Sequence, residues 1–113
     1  MSLAETQQEM AQQNKILMEA IGSTGQAFKG MAQAINEESA VDAKTKELIT
    51  LGVAIGARCE GCIITHVGLP IKAGATFEEL ADVAKIAIGM SGGPGAAYSG
   101  KALAYAKEML ENQ

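Results

Sequence analysis

The chain has 113 residues, 48 % of them hydrophobic, and a net charge of −4. That length points to one domain, and that composition excludes a disordered or fibrous chain. Basic residues never cluster beyond Lys44 and Lys46, so nucleic acid is not an expected partner.

The apolar fraction is mostly Ala, Leu, Ile and Met, with two Phe, two Tyr and no Trp. Such a set favours helices over strands and builds a thin core, which favours self-association. In chain order, the first predicted helix covers about Leu3 to Ile21, with Met10, Leu17 and Ile21 on a narrow apolar stripe and Gly22 as its stop. A narrow stripe of that kind suits packing on a neighbouring subunit. The second covers about Thr24 to Asn36 and places Phe28, Met31, Ala32 and Ile35 on one face. A turn follows, in which Ser39 and Asp42 can form a capping box.

The third helix is predicted from Asp42 to about Ala57. It ends in the uncharged run LITLGVAIGA, which also reads as a buried strand but continues from a polar helical start without a turn signal. Leu48, Leu51 and Ile55 share one face and Ile49 and Val53 a second, so burial on most sides is expected. The fourth helix opens at Arg58-Cys59-Glu60-Gly61-Cys62 and runs to about Ala73. Pro70 requires a kink or an early end there. The fifth begins at Thr76, with Glu79 completing a capping box, and buries Phe77, Leu80, Val83, Ala84 and Ala87. The stretch Ser91 to Gly95, SGGPG, is a turn, and a sixth helix runs from about Pro94 to Leu110. No apolar run has membrane-spanning length and no secretory leader is visible, so the expected compartment is the cytoplasm, without membrane partners.

The chemistry is concentrated in CEGCIITH. Cys59, Cys62 and His66 stand at i, i+3 and i+7 and share a helix face. A helical first turn offers free N–H groups and the positive end of the dipole, both of which favour a thiolate. His66, one turn beyond Cys62, can take its proton and make it the better nucleophile. The imidazole needs an orienting partner on its other nitrogen, and Glu47, Glu60 and Asp82 are the candidates. Among these, Glu47 directly precedes the buried run. Two other readings stand beside this one: inert buried cysteines, and zinc held by Cys59, Cys62 and His66 with Glu47 or water. Thr65 and Asp82 are lesser candidates near the site.

The stretch KELITLGVAIGARCEGCIITH resembles the signature of the carboxymuconolactone decarboxylase and alkylhydroperoxidase D-like family. In that signature a Glu stands twelve residues before the first Cys of Cys-x-x-Cys, and a His four residues after the second. Glu47, Cys59, Cys62 and His66 match it, and the similarity covers about Asp42 to Leu110. The resemblance implies an all-α domain of about six helices that assembles as a trimer or hexamer. It implies a thiol-dependent peroxidase or disulfide oxidoreductase with no cofactor and no metal, recharged by an external dithiol reductant and acting on a small peroxide or disulfide. By resemblance Cys62 attacks, Cys59 resolves, and His66 with Glu47 relays protons. Peroxidase-type members carry a histidine where this chain has Gly61, which removes one proton shuttle. Decarboxylation of a small carboxymuconolactone-like substrate is the alternative activity; an anion clamp would rest on Arg58, the sole arginine, or on lysines.

Overall fold

A computed structural model describes residues 2–113. Within them the chain is all-helical, with five helices: α1 (Leu3–Ile21), α2 (Ser23–Ile35), α3 (Ala43–Gly56), α4 (Glu60–Lys72) and α5 (Phe77–Glu111). They fall into two compact units, one up to residue 40 and one over residues 41–113.

The first unit is a pair of helices. Ser2 accepts from the Glu5 N–H while the Glu5 carboxylate accepts from the Ser2 N–H, a reciprocal cap that fixes where α1 begins. Gly22 ends α1, and Gly25 packs against Met18 and Ile21. Little else is covered: Phe28, Met31 and Ile35 of the predicted α2 face are exposed.

The second unit contains the core. Leu51, Ala54 and Ile55 of α3, Ile63, Val67 and Ile71 of α4, and Leu80, Ala87, Ala102 and Ala106 of α5 form one buried cluster. Three details differ from the sequence expectation. Asp42 alone caps α3, accepting from the Thr45 N–H at 2.8 Å, so Ser39 takes no part. A carboxylate already at the N-cap reaches that donor directly. The second face of α3 is open rather than buried, with Ile49 55 % and Val53 65 % exposed. The fifth and sixth predicted helices are two arms of α5, and the expected SGGPG turn contracts to one non-helical residue, Gly92 (φ 63°, ψ −138°). That conformation is open to glycine and closed to side-chain-bearing residues. Pro94 then lies in the first turn of the second arm, where no N–H is needed.

The ends of α3 and α4 are built alike. Past α4, the Ala75 N–H reaches the Pro70 carbonyl (2.9 Å) and the Gly74 N–H the Ile71 carbonyl (3.0 Å), with Gly74 at φ +94°. This is a Schellman cap, and it lets the helix stop two residues beyond Pro70. Past α3, the Cys59 N–H reaches the Ala54 carbonyl (3.2 Å) and the Arg58 N–H the Ile55 carbonyl (3.0 Å). Here the left-handed position belongs to Arg58, at φ +57°, an arrangement that costs roughly 1 kcal/mol for a residue with a side chain. The motif turns the chain in the fewest residues, so that Cys59 ends one helix cap and begins the next.

Candidate functional site

Cys59 is the N-cap of α4, and its Sγ accepts from the Cys62 N–H at 3.2 Å. The sulfur thus stands where an Asp or Ser oxygen usually satisfies the first free donors of a helix. Cys59 and Cys62 are joined in a disulfide, with Cα atoms 5.2 Å apart, within the ordinary range for such a bond. Cys62 is exposed and Cys59 half-buried, so the second cysteine is the more open residue of the pair.

His66 follows one turn after Cys62 on the same side of α4. Its Nδ1 lies 3.1 Å from Glu47 Oε2 of α3, and the two side chains are 27 % and 15 % exposed. Of the three orienting candidates, then, Glu47 holds the imidazole. The contact engages Nδ1 and leaves Nε2 as the nitrogen that Glu47 does not hold. Core residues near these groups, Leu51 and Ile55 on α3 and Ile63 and Val67 on α4, lock the two helices together and so set the Glu47–His66 distance. Pro70 supplies no N–H to the His66 carbonyl one turn earlier, a local departure from the helical ladder beneath the imidazole.

Glu60, read from sequence as a candidate partner of His66, points to α5 instead. Its Oε2 is 2.8 Å from Lys101 Nζ, and Tyr105 of α5 is a further influence on the same carboxylate. The hydrogen bond and charge of Lys101 hold the Glu60 carboxyl below the usual carboxylate range. Glu60 in turn raises Lys101. Burial, and then the Glu60 charge, raise Tyr105 above the usual phenol range. Lys101 and Tyr105 were not read as site residues from sequence. Their i, i+4 spacing on one helix face was a signal, but nothing in the sequence tied that face to α4.

The remaining candidates make contacts of their own. Asp82 pairs with Lys85 on α5 (2.9 Å), and the Thr65 hydroxyl donates to the Gly61 carbonyl one turn back (3.1 Å). Arg58 is exposed beside Cys59. An apolar groove of about 620 Å³ runs between α3 and the first arm of α5, lined by Ile49, Val53, Ile86 and Met90 among others. Glu47, Cys59, Cys62 and His66 do not contribute to it. Among the described residues no helix is long and apolar enough to cross a membrane.

The sequence model of the carboxymuconolactone decarboxylase family matches residues 23–108. An uncharacterized protein of Cupriavidus necator is 42 % identical over 79 residues, 70 % of each chain. One from Paracoccus denitrificans, encoded in its cox locus, is 33 % identical over 77 % of this chain and 78 % of its own. Among solved structures, a carboxymuconolactone decarboxylase family protein of Legionella pneumophila superposes with a TM-score of 0.88 at 32 % identity, over 94 % of this chain and 95 % of its own. A Thermotoga maritima protein of the same family, for which a part in an antioxidative response has been suggested, gives 0.73 at 27 % identity over 78 % and 91 %.

Proposed function

The chain belongs to the carboxymuconolactone decarboxylase family, and from that premise we propose that it is a thiol-dependent oxidoreductase that reduces a small peroxide or disulfide through Cys62 and Cys59. The observation that carries this reading is the pairing of a Cys59–Cys62 disulfide at the mouth of α4 with a histidine one turn away, itself held by Glu47 at 3.1 Å. A packing cysteine needs no oriented base; a redox thiol does.

The reaction begins from the reduced pair. His66, positioned by Glu47, accepts the Cys62 proton. The Cys62 thiolate attacks the terminal oxygen of a hydroperoxide, the O–O bond breaks, and the leaving alkoxide takes a proton from the imidazolium to depart as an alcohol. Cys62 is then a sulfenic acid, oxidised by two electrons. The Cys59 thiol attacks it, the S–O bond breaks, the Cys59 proton joins the departing hydroxyl so that water leaves, and the disulfide forms. An external dithiol reduces that bond by exchange and is itself oxidised to a disulfide. With a disulfide substrate the same thiolate forms a mixed disulfide, which Cys59 resolves. The more exposed position of Cys62 supports its role as attacker. The Cys62 N–H bonded to the Cys59 sulfur keeps that sulfur beside Cys62 at the start of α4, which supports its role as resolver. Self-assembly into a trimer or hexamer belongs to this reading, and light scattering on the purified protein measures it.

Peroxide consumption with a dithiol reductant, compared between the wild type and Cys62→Ser, tests the proposal. The substitution is expected to bring turnover to background; equal rates in the two proteins would overturn it.

A further inference from the structure

We propose that Lys101 is a positioning residue of the dithiol: it draws the Glu60 carboxylate, which the sequence places between the two cysteines, onto α5 and cancels its charge, and so keeps the reduced pair reactive. The inference rests on the redox reading above and assigns a role to residues outside the Glu47, Cys59, Cys62 and His66 set.

Glu60 is the first residue of α4, immediately after the capping Cys59. A carboxylate at that position suits the helix dipole, but it is also a negative charge next to sulfurs that must themselves become negative. Like charges disfavour each other's ionisation, and a dithiol with no thiolate is a poor nucleophile. The conflict is resolved by α5. Lys101 Nζ stands 2.8 Å from Glu60 Oε2, and Tyr105 follows one turn further along the same helix. The charged groups placed around the pair are then Arg58 before Cys59, Glu60 with Lys101 and Tyr105 from α5, and the His66–Glu47 couple from α4 and α3. Glu60 is the member of this set whose charge, if uncompensated, opposes thiolate formation directly from within the Cys-x-x-Cys loop. Lys101 and Glu60 are both roughly half exposed, so their pairing contributes little to stability, and its effect is expected on the sulfurs instead.

The test uses the full-length reduced protein as wild type, Lys101→Met, Glu60→Gln, the double variant and Lys101→Arg. Two readouts are followed: thiolate absorbance against pH, and the iodoacetamide alkylation rate of each cysteine at pH 7, resolved by peptide mass spectrometry. Lys101→Met is expected to slow alkylation about threefold, the size of one unmasked surface charge near an ionising group, and to move the thiolate transition to higher pH. Glu60→Gln is expected to move both in the opposite direction. The double variant should match Glu60→Gln, because Lys101 acts through Glu60, and Lys101→Arg should restore the wild-type rate. Lys101→Met without effect, or the two single variants moving in the same direction, would overturn the proposal while leaving the redox reading intact. A wild-type pair that does not cycle between dithiol and disulfide under glutathione titration would overturn both.

Discussion

The two faces of α4 differ in kind although they share thirteen residues. One face carries Ile63, Ile64, Val67 and Ile71, all buried, and knits α4 to α3 and α5. The other carries Cys62, Thr65 and His66, which are exposed or half-exposed. The first is held by packing, where a lost methylene is felt as stability. The second is held by a few directed contacts, a disulfide, a capping bond and one imidazole–carboxylate pair. The contrast teaches that fold and chemistry are separable here by single substitutions, even on one short helix.

Four changes would break or sharpen that contrast. The largest effect is expected on the open face: Cys59→Ser should stop turnover, by roughly three orders of magnitude or more, while leaving a sulfenic acid at Cys62 that dimedone traps in stoichiometric yield. On the buried face, Ile63→Ala should cost about 3 kcal/mol in urea unfolding and yet keep wild-type thiol reactivity well below its midpoint; a comparable loss of reactivity would show that the faces are coupled. Glu47→Gln lies between them. It keeps a hydrogen-bonding side chain but removes the charge behind His66, so a rate about tenfold lower is expected, with small change in the unfolding midpoint. The smallest effect belongs to the N-terminal cap of α5. Hydrogen bonds to the Thr76 backbone, and then to Lys44, hold Glu79 below its ordinary value of 4.5. Its contribution is therefore present above that value and lost as the pH falls through the lowered one. Thermal melts of wild type and Glu79→Gln should differ at neutral pH and converge in acid.

Much of this arrangement was legible because it depends on local chemistry. The Thr76 cap, the stop at Gly22 and the Glu47, Cys59, Cys62 and His66 spacing are all short-range patterns whose meaning survives folding. What escaped was set by neighbours. Ile49 and Val53 repeat at helical spacing like core residues, but no described element of the second unit covers them fully. The SGGPG stretch has the composition of a turn, but one glycine suffices to redirect α5. The tight joint between α3 and α4 was hidden because its left-handed residue is Arg58, where glycine or asparagine is the usual signal. Lys101 and Tyr105 lie some forty residues from Glu60 and meet it only across the packed helices.

The joint at Cys59 has one further consequence. Its backbone N–H closes α3 and its sulfur opens α4, so the atom that changes oxidation state is also a structural acceptor. In the disulfide that acceptor is a neutral sulfur; after reduction it can be an anion, which the free N–H groups of a helix start bind more strongly. Capping strength and reduction potential are therefore two sides of one thermodynamic cycle. Any substitution that improves the start of α4 for an anion makes the disulfide a stronger oxidant, and any that spoils it makes the dithiol a stronger reductant.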